Sequence, residues 1–209
     1  MPAQAAMIRL DDDAGQILEF SQPPQRIISL TPHLTELLSA VGAGSQAVGV
    51  DSASDFPADV KKVLRVGDYS YINFERVVAL KSDMVIVWLG GNRPVDIRGL
   101  KKLGVPVLQT QATRLKDVAR LLRLIGQVSG HAALGNAAAN KFSVQLAALE
   151  VPIRRPSRIK VFYQVWDRPL MTVGGAHWIN DALSLCGARN VFDGLRGQFA
   201  KPCCSKPPH

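Results

Sequence analysis

Side chains able to do chemistry are few in this chain, and their spacing limits what they could do. Asp51, Asp55 and Asp68 fall within one polar stretch and could pair as the acid and base of a hydrolase. That chemistry needs a nucleophile or a phosphate cradle, and neither a Gly-x-Ser-x-Gly elbow nor a phosphate loop accompanies them. Gly42 and Gly44 follow a helical pattern instead of a strand, which reads as a helix stop. The histidines His33, His131, His177 and His209 are scattered with no ligand-spaced pair, so no metal site is expected. His33 begins the first main helix, where it could touch a ligand or simply lie on the surface near the cap. Cys203 and Cys204 are adjacent and poorly placed to bond each other, and Cys186 in its apolar helical stretch is expected as a small core residue. No catalytic residue is expected, and what remains is the chemistry of binding.

The strongest binding signal is the stretch from Ala79 to Asn92. Met84 to Val87 is an unbroken apolar run rich in β-branched residues, bounded by Asp83 and by Gly90-Gly91. Such a run reads as a strand buried on both faces, as in a parallel sheet covered by helices. Trp88 stands at its C-terminal end, where ligands bind in open α/β sheets. A large aromatic beside two residues without side chains reads either as a pocket wall or as a plug for the end of the core.

The elements that must position Trp88 follow from periodicity. Met7 to Phe20 reads as a hairpin around Asp11-Asp-Asp-Ala-Gly15. Arg26 to Leu30 reads as a strand, after which Thr31 can cap a helix and Pro32 fits its first position. That helix carries Leu34, Leu37, Leu38 and Val41 on one face. Ala47 to Val50 is a second strand, followed by a polar loop. Asp68 to Tyr71 is an exposed aromatic loop, and Asn73 caps a short helix expected to turn Phe74, Val77 and Val78 inward. Glu75 in its first turn suits the positive end of the helix dipole. After the central strand come a helix from Pro94 to Leu103, a strand from Val105 to Leu108 and an amphipathic helix from Leu115 to Val128. The alternation implies a parallel sheet flanked by helices. The Ala-rich run from His131 to Leu149 reads as one continuous helix ended by Pro152 and Pro156. Arg158 to Tyr163 starts a new strand, Trp166 to Gly175 reads as a loop, Trp178 to Cys186 as a helix, and Asn190 to Phe192 as the start of another element. Arg196 to His209 has no hydrophobic period.

Composition narrows the partners. The formal net charge is +8, from 25 Lys+Arg against 17 Asp+Glu, with a sequence pI near 9.7. The basic residues are spread over helix faces, and the one concentration, Arg154 to Lys160, lacks aromatic interleaving, so it reads as a solvated face or linker and not a nucleic-acid footprint. No apolar run reaches the roughly 20 residues that cross a bilayer. Ala3-Gln-Ala5 has the small-x-small pattern of an export-signal cleavage site, although no intact signal peptide is present.

Three stretches are specific enough to carry a resemblance: Arg26 to Leu38, Val48 to Val50 with Ser54-Asp-Phe-Pro57, and Asn73 to Trp88. They resemble the helical-backbone (class III) substrate-binding proteins of ABC importers. Trp88 to Asn92, Val161 to Trp166 and Cys186 to Phe192 resemble the cobalamin (vitamin B12) binders within that class. The resemblance covers roughly residues 24 to 193. It implies a periplasmic or extracytoplasmic protein holding cobalamin or another corrinoid between two lobes, with an ABC permease of the inner membrane as partner. Trp88, Gly90, Gly91 and Asn92 with Tyr69 would line the first lobe's wall, and Trp166 would lie in the facing loop of the second. Glu75 matches the acidic residue that docks on the permease; without the resemblance it is equally well a helix-dipole carboxylate. An iron-siderophore or haem ligand within the same class, or an α/β hydrolase using the three aspartates, are the competing readings.

The implied fold is α/β: a Rossmann-like N-terminal lobe with a parallel sheet over residues 1–130, a connecting backbone helix over 131–151, an incomplete second α/β lobe over 152–195, and an atypical tail over 196–209. The chain departs from the family at Ser82, where a proline is usual, and at Ala53, where an aromatic contact stands. It also lacks the remainder of the second lobe with its aromatic contact and docking glutamate, which leaves an open strand edge at Ile159 to Tyr163 and implies a weak binder. The tail resembles a misjoined end.

Overall fold

The computed structural model describes residues 7–149 and 159–201. The stub at Ala3 to Ala5, the helix-ending Pro152 and Pro156, most of the basic cluster from Arg154, and Cys203 with Cys204 lie outside the described residues. The chain divides into two compact units, residues 1–111 with 119–140, and residues 112–118 with 141–209.

The first unit opens with an antiparallel hairpin, β1 (Ile8–Asp11) and β2 (Ile17–Phe20). There follow β3 (Ile27–Ser29), α1 (Pro32–Ala40), β4 (Ala47–Asp51), β5 (Leu64–Gly67), α2 (Phe74–Ala79), β6 (Met84–Trp88), α3 (Pro94–Lys102) and β7 (Val107–Thr110). The helices α4 (Asp117–Val128) and α5 (Ala132–Leu149) each run from one unit's share of the chain into the other's. The strands form one parallel sheet in the order β5-β4-β3-β6-β7.

Its middle strand is β3, and beside it lies β6, whose Met84, Val85, Ile86 and Val87 are all fully buried. Burying a side chain of this size stabilises by about 1.5–3 kcal/mol, so this strand alone is a large share of the core. Val85 and Val87 join Ile28, Val66, Val77 and Leu100 in one cluster, beneath α2 and α3. Alternation along the strand sends Met84 and Ile86 to the opposite face. The sheet edge at β7 is covered by the hairpin turn: Asp13 N–H donates to the Gln109 carbonyl at 2.9 Å, and Gln109 Nε2 donates to Asp12 Oδ2 at 2.7 Å.

Three expectations for this unit change. Leu64 to Gly67 is a strand, which sequence reasoning passes over because it is a four-residue edge in which only Val66 is buried. Val78 is 54% exposed instead of facing inward, since the six-residue α2 reaches the core with Val77 and Phe74 alone. The strand expected from Val105 begins at Val107; Pro106 has no N–H to donate, though its carbonyl accepts from Val85 N–H at 2.9 Å.

The second unit holds β8 (Ile159–Val161), β9 (Gln164–Asp167), β10 (Leu170–Val173), α6 (Ile179–Leu185), β11 (Ala188–Asn190) and β12 (Phe199–Ala200). Here the loop expected from Trp166 to Gly175 is instead an antiparallel hairpin of β9 and β10. All of β9 is exposed, so no alternation marks it, and Arg168-Pro169 at the turn reads as a breaker. One edge of β8 is paired in parallel with β11, which ends at Asn190, where the sequence pattern would have started an element; the sheet has two strands, so the other edge of β8 is open among the described residues, as expected at Ile159. Phe199 and Ala200, in the tail without periodicity, pair with β10. Two residues are too few to show a period. Cys186 is exposed at the end of α6, and not a core residue.

Candidate ligand-binding site

In a parallel sheet all strands end on the same side, so the first residues past neighbouring strands meet there. Thr31 follows β3, Asp51 ends β4, Asp68 follows β5 and Trp88 ends β6. With His33 and Tyr69 they line a concavity of about 210 Å³, to which Gly91 and Asn92 also contribute. Pockets that engulf a drug-sized ligand run to about 300–1,000 Å³. This one is smaller than that.

Trp88 is held by the turn that follows it. Asn92 Oδ1 accepts from Trp88 N–H at 2.8 Å, and Asn92 Nδ2 donates to the Leu30 carbonyl at 3.1 Å. Asn92 is itself buried, so one side chain ties the end of β3 to the end of β6. Gly91 lies flat against the indole: a methyl group there would overlap Trp88 Cε3 and Cζ3. Gly90 is a half-buried turn residue beside it. Gly91 therefore makes room for the ring. His33 meets Trp88 edge to face, with ring centroids 5.3 Å apart. Burial holds the His33 imidazole down to about 4, so it is neutral at physiological pH.

The aspartates form the polar side. Asp51 is buried, its Oδ1 accepting from Ala53 N–H at 2.8 Å. Burial pushes its carboxyl above the ordinary value; the Ala53 amide pulls the other way, Asp68 adds to the rise and Arg65 opposes it. Asp68 Oδ1 accepts from the Ser70 hydroxyl and amide, both at 2.7 Å, and from Tyr71 N–H at 3.1 Å. Those bonds, the Ser70 hydroxyl first, hold its carboxyl below the usual range. This is an Asx turn, and it lifts Tyr69 to 72% exposure at the rim. Gly67, at φ +150°, permits it, since the Tyr71 carbonyl occupies the place of a Cβ. Asp55 is exposed and outside the concavity, so the three aspartates do not converge.

Thr31 departs from expectation. It occupies the N-cap of α1 with extended backbone, but its side chain makes no cap hydrogen bond. It is 7% exposed, and its Oγ1 has no partner among the described residues. Its carbonyl instead accepts from Thr35 N–H at 3.2 Å and Thr35 Oγ1 at 3.1 Å.

Of the remaining residues, Glu75 is exposed in the first turn of α2, where Asn73 caps by accepting from Arg76 N–H at 2.9 Å. Trp166 is 54% exposed on β9 of the second unit. Sequence reasoning did not place Thr31 and Asp51 at the site, and left His33 open between ligand contact and surface. The strand-end rule would have found Thr31 and Asp51, and would have found Asp68 once β5 was recognised. Among the described residues no group of three or more His, Cys, Asp or Glu could hold a metal ion.

A family model described as periplasmic binding protein matches residues 27–204, running past the end of the stretches that carried the resemblance and into the tail expected to be atypical. The vitamin B12-binding protein of Vibrio parahaemolyticus is 34% identical over 172 residues, covering 82% of this chain and 62% of its own length. This chain thus spans somewhat under two thirds of that relative. The crystal structure of the periplasmic vitamin B12 binding protein BtuF of Vibrio cholerae matches with a TM-score of 0.78 at 32% identity, over 87% of this chain and 71% of that one. A periplasmic haem-binding protein from Pseudomonas aeruginosa matches with a TM-score of 0.68 at 25% identity, over 86% and 66%.

Proposed function

This chain belongs to the periplasmic binding protein family, and we propose that it captures cobalamin or a related corrinoid for an ABC importer, without chemistry on its ligand. The observation that carries this reading is the wall at Trp88: an indole braced by His33, with Asp51 and Asp68 beside it and no Lys or Arg among the lining residues. A corrin presents a broad, mostly apolar face fringed by amides. An aromatic side chain buries much area against such a face at low entropic cost, while a few polar groups fix orientation. The curated relatives named as vitamin B12-binding proteins point the same way.

Trp166, Gly90 and Tyr69 complete the proposed contacts. Trp166 rests on the sequence resemblance, and Tyr69 on its place at the rim of the wall. Glu75, exposed on α2, is proposed to dock on the permease. We place the working protein in the periplasm, as the relatives are; among the described residues no helix is long and apolar enough to cross a membrane.

Haem is the second reading, favoured by His33 and Tyr69 at the wall as potential axial ligands and by the likeness to the Pseudomonas protein. Against it, haem propionates would face two aspartates, with no Lys or Arg among the lining residues. Hydrolase chemistry has less support, because Asp55 lies apart and Asp68 is engaged in its own turn. Calorimetric titration with cyanocobalamin, haemin and ferric siderophores tests the reading. Saturable binding of cyanocobalamin near one to one is expected; tighter binding of haemin, or turnover of a hydrolase substrate, would overturn it.

A further inference from the structure

Resting on the corrinoid reading, we infer that Thr31 and Asp51 form a selectivity floor that accepts a carboxamide arm of the ligand and rejects a carboxylate in the same place. Thr31 lines the concavity, and its Oγ1 is a buried hydroxyl with no partner among the described residues. A buried hydroxyl without a partner is costly, and a site that leaves one open is completed by its ligand. Asp51, also buried and lining the same concavity, gives Oδ1 to Ala53 N–H, and an ionised carboxylate retains further lone pairs on Oδ2.

A carboxamide needs one acceptor for its N–H and one donor for its carbonyl. Asp51 supplies the first and Thr31 the second. A carboxylate has no N–H to offer, and it would stand against Asp51 and Asp68 with no Lys or Arg among the lining residues to bond it. His33 brings no positive charge to it either, since it is neutral. Arg65, which donates to the Asp51 carbonyl at 3.4 Å, and Arg93, whose charge acts on Asp68, are not among the lining residues.

The floor is also preorganised. Thr35 Oγ1, which donates to the Thr31 carbonyl, lies 3.1 Å from Ser54 Oγ and 2.9 Å from Ser29 Oγ, and Ser29 Oγ donates to the Thr31 carbonyl at 3.3 Å. These groups are almost wholly buried and fasten the Asp51–Ser54 loop to the first turn of α1. On the far side the Ser52 hydroxyl and amide both donate to the Gly67 carbonyl, at 2.8 and 2.7 Å. Thr31 and Asp51 are therefore fixed relative to each other before any ligand arrives.

The test compares cyanocobalamin with the set of monocarboxylic acids made by hydrolysing one propionamide arm of it, titrated calorimetrically into the purified chain. At least one of these acids, that whose altered arm meets the floor, should bind about tenfold or more weakly than cyanocobalamin, and this ratio should shrink towards one in D51N. The T31V variant, which keeps the shape and loses the hydroxyl, should weaken cyanocobalamin about two- to tenfold. Equal binding of every monocarboxylate by the unmutated chain overturns the inference without needing any variant to fold. Undiminished discrimination in a folded D51N removes Asp51 from the role. Failure of all corrinoids to bind would instead strike the corrinoid reading itself, and this inference with it.

Discussion

At the scale of single residues, the site depends on side chains whose ordinary chemistry is altered by where the sheet ends place them. His33 is the clearest case. Burial lowers its folded-state value from 6.5 to about 4, so between those values the unfolded chain binds a proton that the folded chain refuses. Stability from this group is intact above pH 6.5 and is lost as pH falls towards 4, by at most about 3 kcal/mol. Urea melts at pH 7.5 and pH 5 should show a smaller pH dependence in His33→Leu than in the unmutated chain. Buried His177, lowered by the same cause, contributes equally to both chains and cancels in the comparison. An unchanged slope would mean that His33 is solvated.

At the scale of elements, the turn after β6 is the joint that holds the wall. Asn92 satisfies Trp88 N–H and the Leu30 carbonyl at once, so Asn92→Ala should cost about 1–3 kcal/mol for the groups left buried and unpaired. Chemical denaturation would read this directly, and a loss below 0.5 kcal/mol would show that water replaces the amide. Much of this element was legible in the sequence, because an apolar run ending in Trp88 and two glycines has few other solutions. The same logic located the hairpin, α1 with its leading proline, the Asn73 cap and the long helix α5. It failed where strands bury little. In β5 only Val66 is buried and in β9 no residue is, so neither carries the alternation that pattern reading depends on. Losing β5 also hid the meaning of Asp68, which becomes a strand-end residue only when the strand before it is seen. Thr31 was misread for a different reason. Its position fits an N-cap, but whether a hydroxyl bonds its helix or faces a cavity is decided by packing that local sequence does not encode.

At the scale of the whole molecule, the account is one of capture and delivery by a chain that spans 62% of the length of its Vibrio parahaemolyticus relative. Delivery is proposed for Glu75, exposed on α2 and not among the concavity's lining residues. Glu75→Ala should leave ligand affinity unchanged while reducing association with permease-containing vesicles, most visibly at low salt, where exposed charges interact over longer distances. Normal association would return Glu75 to the helix dipole. Capture is assigned to Trp88, and its test is the most direct of all. Titrating the purified chain with cyanocobalamin, with tryptophan fluorescence and heat recorded together, should give saturable binding with quenching. In Trp88→Ala the affinity should fall about 30-fold or more, corresponding to roughly 2 kcal/mol for a central aromatic anchor. The same affinity in both chains, or no binding in either, would contradict the claim that this indole is the wall on which a corrinoid rests.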